Sequence, residues 1–316
     1  MKNNGRNHKG LRIAITGATG MIGRQLTGTY GTNSNRLTLF ARKPFQIHHA
    51  HKISLWNPDQ RMIDIADLEG QDVVIHLAGK NIAAAHWSET HKRGVLESRV
   101  RSTELLSKTL TQLKQPPKVL LSASAIGFYG NRPPEEDLDE SSPAGDGFIS
   151  DVCRQWEAAT KLAEDAGIRV VNLRTGLVMS PSGGTLAKML PLFRLGLGGK
   201  IGSGEQVMSW IALEEIPSAL LHIIQYPSLS GPVNLVSPNP VTNATFVKLL
   251  AKVLTRPAFF GLPTFGAKLA FGEMAEELLL SGARIVPRKL LESGYQFAFP
   301  ELEDTFRQLL TKTTQH

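Results

Sequence analysis

The sequence predicts an α/β protein built on a doubly wound parallel sheet, followed by a smaller α/β lobe and a helical tail. Three observations carry that prediction. From residue 11 onward apolar runs alternate with helical periodicity, the runs are continuous rather than confined to every second residue, and a three-glycine turn links the first run to the first helix. Continuous apolar strands are what a parallel sheet requires when helices cover both its faces.

The elements follow in order. Residues 11–16 read as the first strand, 21–30 as the first helix and 37–41 as the second strand. A weaker strand falls near 53–56, a stronger one at 72–78, a long helix within 88–113 and a strand at 119–124. A helix near 150–166 leads into the strand 168–174. Beyond Arg174 the texture changes, with glycine-rich stretches at 182–184 and 196–204 and shorter elements through 232–236, which reads as a substrate-side region. Helical patterns cover 242–254 and 268–281, separated by the proline- and glycine-punctuated segment 256–266, and the tail is helical to near Thr311. The apolar pattern at 268–280 reads as a core or partner-contacting helix.

Composition bounds the function. The 316 residues are 41% hydrophobic and 20% charged, which is ordinary globular usage, and no apolar run approaches the length of a bilayer span. Cys153 is the single cysteine, so no internal disulfide forms, and the polar, basic residues 1–10 lack the apolar core of a signal peptide. The chain therefore reads as cytoplasmic. Of the net charge of +7, Lys2, Arg6 and Lys9 supply three and no basic cluster follows, which argues against a nucleic-acid partner. The run His48-His49-Ala50-His51 lacks neighbouring cysteines or acids and reads as a solvated loop, so no metal is expected. The five carboxylates between Pro133 and Glu140 read as an exposed loop over a cleft.

The strongest functional signal is Gly17-Ala18-Thr19-Gly20-Met21-Ile22-Gly23, directly between the first strand and first helix. Gly17 permits a tight turn, Gly20 lets a pyrophosphate approach the backbone, and Gly23 lets the helix pack closely on the strand. The helix N-terminus offers N–H groups to the phosphates. The second strand ends in Arg42-Lys43, where an enzyme selective for NAD(H) would place an acid for the adenine-ribose hydroxyls. Arg42 suits bidentate pairing with a 2′-phosphate and Lys43 adds a point charge, so NADP(H) is expected in preference to NAD(H). A solvated Arg-Lys pair at a strand end is the plainer alternative. The expected organisation is a disordered basic tail at 1–10, a mainly NADP(H)-binding Rossmann domain at 11–180, and a mainly substrate-binding and helical region at 181–316 with the last Rossmann elements interleaved.

The glycine turn, with Val74-Ile75-His76-Leu77-Ala78-Gly79 and Leu121-Ser122-Ala123-Ser124 through Tyr129-Gly130, resembles the NAD(P)-dependent epimerase/dehydratase branch of the extended short-chain dehydrogenases. Trp156-Glu157-Ala158-Ala159, Leu173-Arg174-Thr175-Gly176, residues 191–199 and Met208-Ser209-Trp210-Ile211 resemble its YfcH-like subgroup more closely. Residues 272–274, 286–287 and 294–295 resemble that subgroup's additional domain of unknown function. The resemblance implies that Leu77, Ala78, Gly79 and Ser122 join the glycine turn in holding the cofactor. It also implies a substrate cleft between two lobes and, by analogy, a homodimer.

In working members of that branch a Tyr with a Lys four residues on moves the proton that accompanies hydride transfer, assisted by a Ser or Thr. The tyrosines here are Tyr30, Tyr129, Tyr226 and Tyr295, followed four residues later by Ser34, Pro133, Ser230 and Phe299, so the pair is absent. Cys153 and Glu157 fall in its places. A carboxylate raises a neighbouring acid's pKa where an ammonium would lower it. Three readings follow: an oxidoreductase with another proton relay, a cofactor-binding sensor or partner without turnover, and an epimerase with unusual chemistry. Ser124, Cys153 and Glu157 are the candidate catalytic residues. Tyr129 and Arg174 are the candidates for an otherwise unidentified small-molecule substrate, with a structural salt bridge equally open for Arg174.

Overall fold

The computed structural model describes residues 10–32, 34–45 and 51–311, so the basic tail before Gly10 and the histidines His48 and His49 lie outside the described residues. The central sheet has eight strands: β1 (Arg12–Thr16), β2 (Arg36–Ala41), β3 (Lys52–Asn57), β4 (Met62–Ile63), β5 (Val73–His76), β6 (Val119–Ala125), β7 (Arg169–Thr175) and β8 (Gly231–Leu235). Their spatial order is β8-β7-β6-β5-β1-β2-β3-β4, parallel throughout except for the antiparallel edge pair β3–β4. The longer helices are α1 (Met21–Gly31), α2 (Glu89–Leu110), α3 (Phe148–Ala158), α4 (Gly184–Arg194), α5 (Ile216–Gln225), α6 (Asn243–Leu254), α7 (Thr264–Phe271) and α8 (Leu302–Thr311).

Burial on both faces explains the continuous apolar strands. Ile13, Ile15, Ile75, Leu121 and Val171 pack with Leu26 of α1 and Leu220 of α5, whereas Ala14, Val74, Leu120 and Val170 pack with Leu106 and Leu110 of α2. Successive side chains of one strand thus enter opposite cores. A third core gathers α4, α6 and α8 around Trp210, with Phe193, Phe246 and Phe306. Three two-stranded ladders stitch this second lobe: Leu177–Met179 with Trp210–Ala212, Val207–Met208 with Val241–Thr242, and Asp137–Leu138 with Arg284–Ile285.

The structure corrects several element readings. The pattern at 150–166 forms two helical pieces, α3 and the short Lys161–Asp165, and α4 arises where glycines and Pro191 had masked helical periodicity. The pattern at 268–281 is not one helix. Gly272, at φ 56°, ends α7, and the turn Ala275–Leu279 follows with π-type bonding. The acidic stretch before Glu140 is not simply an exposed loop either, because Leu138 and Glu140 are buried beneath the C-terminal segment. Among the described residues no helix is long and apolar enough to cross a membrane.

Candidate functional site

The site begins where strand order reverses. β1 lies between β2 and β5, so the glycine turn after β1, Arg42 and Lys43 after β2, and residues 77–79 after β5 share one edge of the sheet. Gly17 has φ 71°, and a Cβ there would meet the Leu77 carbonyl carbon at 2.7 Å. A Cβ on Gly23 would sit 2.3 Å from the Gly17 oxygen, which is why α1 can rest against the turn. Gly20 is the N-cap of α1, without a side-chain cap or an acid in the first turn. Ala18 is buried, Met21, Ile22, Leu77 and Ala78 are half-buried, and Thr19, Gly79, Arg42 and Lys43 are exposed.

Two polar rows cross the sheet on the α2 face. The deeper row is Thr16, His76, Ser122 and Asn172, adjacent in register on β1, β5, β6 and β7. Thr16 Oγ1 lies 2.7 Å from His76 Nδ1, and His76 Nε2 lies 3.0 Å from Thr103 Oγ1. Burial holds the His76 imidazole down at about 4, so the ring is neutral at neutral pH. Ser122 is fully buried in this row.

The upper row holds the candidate chemistry. Ser124 and Arg174 are register partners on β6 and β7, and α3 lays Glu157 over both. Ser124 donates to Glu157 Oε1 at 2.7 Å, while Arg174 grips the same carboxylate with Nε to Oε1 and Nη2 to Oε2, both at 2.9 Å. Arg174 Nη1 donates to the Tyr129 hydroxyl at 3.0 Å, and that hydroxyl donates to Asn234 Oδ1 at 2.7 Å. The guanidinium stacks 3.4 Å above the Phe128 ring. The Arg174 side chain is 4% exposed and that of Glu157 13%. Of the two roles open for Arg174, the structure displays the salt bridge.

Four of the five candidate catalytic and substrate residues therefore meet in one network, and Cys153 stands beside it. Its thiol is buried and donates to the Ala125 carbonyl at 3.6 Å. Burial, with the Glu157 charge, pushes the thiol up to about 12. Tyr129 is also fully buried, because the turn Ile126–Tyr129 points it inward, and burial pushes its phenol up to about 12. Both groups therefore hold their protons at neutral pH.

Three contributors had no sequence signal strong enough to find them. Asn234 interrupts the apolar β8 and bonds Tyr129, the Val286 carbonyl and, through its N–H, Glu140. Phe128 supplies the ring under Arg174. Glu277, far along the chain, accepts the backbone N–H groups of Phe148 and Ile149 at 2.9 and 3.1 Å and so caps α3. A polar residue inside an apolar strand was the one available cue, and it pointed only to Asn234.

Together these features define a dinucleotide-binding α/β protein of the extended short-chain dehydrogenase type. The chain belongs to the NAD dependent epimerase/dehydratase family, whose profile matches residues 13–235, and a domain of unknown function matches residues 262–309. Epimerase family protein Mb2239 of Mycobacterium bovis is 42% identical over 286 residues, covering 90% of this chain and 93% of that one. Epimerase family protein SDR39U1 of Homo sapiens is 35% identical over 303 residues, covering 95% and 100%. The crystal structure of human SDR39U1 with NADPH superposes with a TM-score of 0.86 over 95% of this chain and 99% of that chain. A nucleoside-diphosphate sugar epimerase from Corynebacterium glutamicum, 34% identical, superposes with a TM-score of 0.75 over 95% of this chain and 58% of that chain.

Proposed function

We propose that the chain is a cytoplasmic NADP(H)-binding oxidoreductase of the epimerase family, acting on a small molecule without the Tyr/Lys pair. The supporting observation is the cradle at the strand reversal. A Cβ on Gly17 or Gly23 would collide with the backbone that shapes it, and the neighbouring strand end carries Arg42 and Lys43 with no acid. These residues fit a dinucleotide, with the glycine turn and α1 N-terminus taking the pyrophosphate, residues 77–79 flanking it and Arg42 taking the 2′-phosphate. The human relative crystallised with NADPH supports the choice of the phosphorylated cofactor.

When bound, the nicotinamide supplies or accepts hydride. The chain's part is the proton. Ser124 Oγ, already donating to Glu157 Oε1, has a lone pair left for a substrate hydroxyl. As an alcohol is oxidised, its proton passes to Ser124 and the serine proton moves to Glu157; reduction reverses both transfers. Arg174 holds the carboxylate in place for this exchange.

Calorimetry tests the cofactor assignment. The Arg42→Glu variant should lose about 10- to 100-fold in NADPH affinity, with NADH changed by no more than about threefold. Equal losses for the two would remove the 2′-phosphate site. The relay requires that Ser124→Ala and Glu157→Gln keep NADPH binding while stopping hydride transfer in a screen that turns over the unaltered protein.

A second reading, a cofactor-binding sensor without turnover, has one observation in its favour. Tyr129 and Cys153 are both buried, and Arg174 already bonds Glu157 and Tyr129. It predicts unchanged NADPH binding and no turnover with any substrate class.

A further inference from the structure

The second lobe carries a surface that is both apolar and cationic. Leu192 and Leu195 at the end of α4 are 54% and 72% exposed, Phe259 and Phe260 are 87% and 64% exposed, and Phe265 and Leu269 of α7 are each 77% exposed. Backbone pairing laces the two segments together. Leu197 bridges Ala258, Phe260 donates its N–H to the Gly198 carbonyl and Leu262 to that of Lys200, and α7 begins directly afterwards. Taking about 200 Å² for a fully exposed aromatic side chain and somewhat less for leucine, the six present on the order of 800 Å² of apolar surface. A monomer rarely keeps a contiguous patch above a few hundred Å².

Charge decides what such a surface meets. Residues 188–200 and 256–271 contain five cations, Lys188, Arg194, Lys200, Arg256 and Lys268, and no acid. All five are exposed. Lys268 follows Phe265 by three residues and precedes Leu269, so it shares their side of α7. Among the described residues the Lys188 ammonium and the Arg194 guanidinium have no hydrogen bond or ion pair. Lys200 Nζ and Arg256 Nε reach only backbone carbonyls, those of Ser203 and Arg194, which leaves their charge uncompensated. Lys268 alone has a carboxylate, Glu276, in a pair whose side chains are 49% and 55% exposed. Exposed pairs of this kind are weak and exchange partners readily.

Three occupants can be weighed. A second copy on a two-fold axis would set five more cations, with no acid, against these. A protein partner would need to be acidic and shaped to side chains that stand clear of the surface. An anionic bilayer answers both halves at once. Its headgroup phosphates attract lysine and arginine, and its interfacial zone takes up phenylalanine and leucine tips without shape complementarity. We propose that this surface docks the protein peripherally on an anionic membrane, with the apolar tips in the interfacial zone and the five cations against the lipid phosphates. Docking of this kind needs no spanning helix.

Flotation of the full chain with mixed phosphatidylglycerol/phosphatidylcholine vesicles, and with phosphatidylcholine alone, tests it. The unaltered protein should bind the anionic vesicles at least about 10-fold more tightly than the neutral ones. Most of that preference should vanish in about 1 M salt, where the Debye length is about 3 Å. Arg194→Ala/Lys268→Ala should weaken anionic binding about 10- to 30-fold, at about 5-fold per cation. Phe265→Ser/Leu269→Ser should weaken it at least about 10-fold with an unchanged circular dichroism spectrum; if that spectrum changes, Phe259→Ser takes its place. Lys114→Ala/Lys118→Ala, which removes two exposed cations from the loop before β6, should leave binding within about threefold. No flotation of the unaltered protein overturns the proposal, as does binding that survives both patch variants or an equal loss in the Lys114/Lys118 control. Patch-dependent binding to polyglutamate without flotation would also overturn it, giving the surface to an acidic protein.

Discussion

Replacing Glu157 by alanine removes the group that holds Arg174, and the cost can be worked from the geometry. The guanidinium is 4% exposed and loses two charge-assisted bonds of 2.9 Å, while Ser124 loses the acceptor 2.7 Å away. Removing one partner of a buried ion pair typically costs about 3–5 kcal/mol, because the remaining charge is left uncompensated in a poor solvent. Two features reduce this. Arg174 keeps its bond to Tyr129 and its stack on Phe128, and the partial exposure of Glu157 gives water a route to the vacated space. The expected loss is therefore near the lower end, about 3 kcal/mol. Glu157→Gln retains one acceptor oxygen and should cost about half as much. Removing both charges, as Glu157→Met with Arg174→Met, should return stability to within about 1.5 kcal/mol of the original, since apolar pairs often replace buried ion pairs at little cost. Urea unfolding at pH 7, without cofactor, of the unaltered protein, Glu157→Met, Arg174→Met and the double variant completes a double-mutant cycle, with Glu157→Ala and Glu157→Gln measured beside them. A loss below about 1 kcal/mol for Glu157→Ala, or a coupling energy near zero, would show that the pair does not organise the site.

Three further outcomes follow from other parts of the structure. Gly23→Ala places a methyl 2.3 Å from the Gly17 oxygen and 2.7 Å from the Ala18 Cα, so α1 must move off the turn; NADPH affinity should fall at least about 100-fold, and retention within about threefold would refute the close-packed cradle. His76 stays neutral in the folded state down to about 4 while an unfolded histidine protonates near 6.5. Its contribution is therefore complete above pH 6.5 and lost as pH falls toward 4, on the order of 3 kcal/mol in all; urea unfolding should show a shallower slope across that window in His76→Gln, and identical slopes would refute it. Glu277→Ala uncaps α3 and should lower stability by about 1–2 kcal/mol, with Glu277→Gln recovering part of the loss; equal stability of all three proteins would show the cap to be idle.

The sheet was legible because its physics is local. Strands buried on both faces write continuous apolar runs, and a tight turn at positive φ writes glycine, so β1, the turn and α1 could be read directly. Arg42 was legible as a substitution of charge at a fixed place. The site's polar floor was legible only in pieces. Ser124 and Arg174 each end a strand, but their adjacency depends on β6 and β7 being neighbours in a particular register. The grip on Glu157 further depends on how α3 lies across them. Whether Tyr129 faces a cleft or the core is decided by a single short turn, for which the sequence offers no period to read. Glycines and Pro191 hid α4, and the apolar composition of 268–281 hid the break at Gly272, since composition reports burial more faithfully than continuity.

The domain of unknown function is bound into this floor rather than appended to it. Glu277 supplies the N-cap of the helix that carries Cys153 and Glu157, where Gly147 has no side chain to do so and, at φ 97°, leaves room for the incoming carboxylate. From the other side, Asn234 joins Tyr129 to the Val286 carbonyl, and buried Glu140 accepts the N–H groups of Asn234 and Lys289. Ser209 completes the seam by donating to the Ala283 carbonyl and accepting from the Ile285 N–H. Buried polar groups of this kind are costly when orphaned, so the sheet, α3 and the C-terminal segment hold one another in register. A chain lacking that segment would leave the α3 N–H groups and Asn234 without these partners at the very place where Glu157 must be held. The geometry of the candidate site is thus a property of both matched regions together, with one hydrogen-bonded network running from Ser124 through Glu157, Arg174, Tyr129 and Asn234 to Val286.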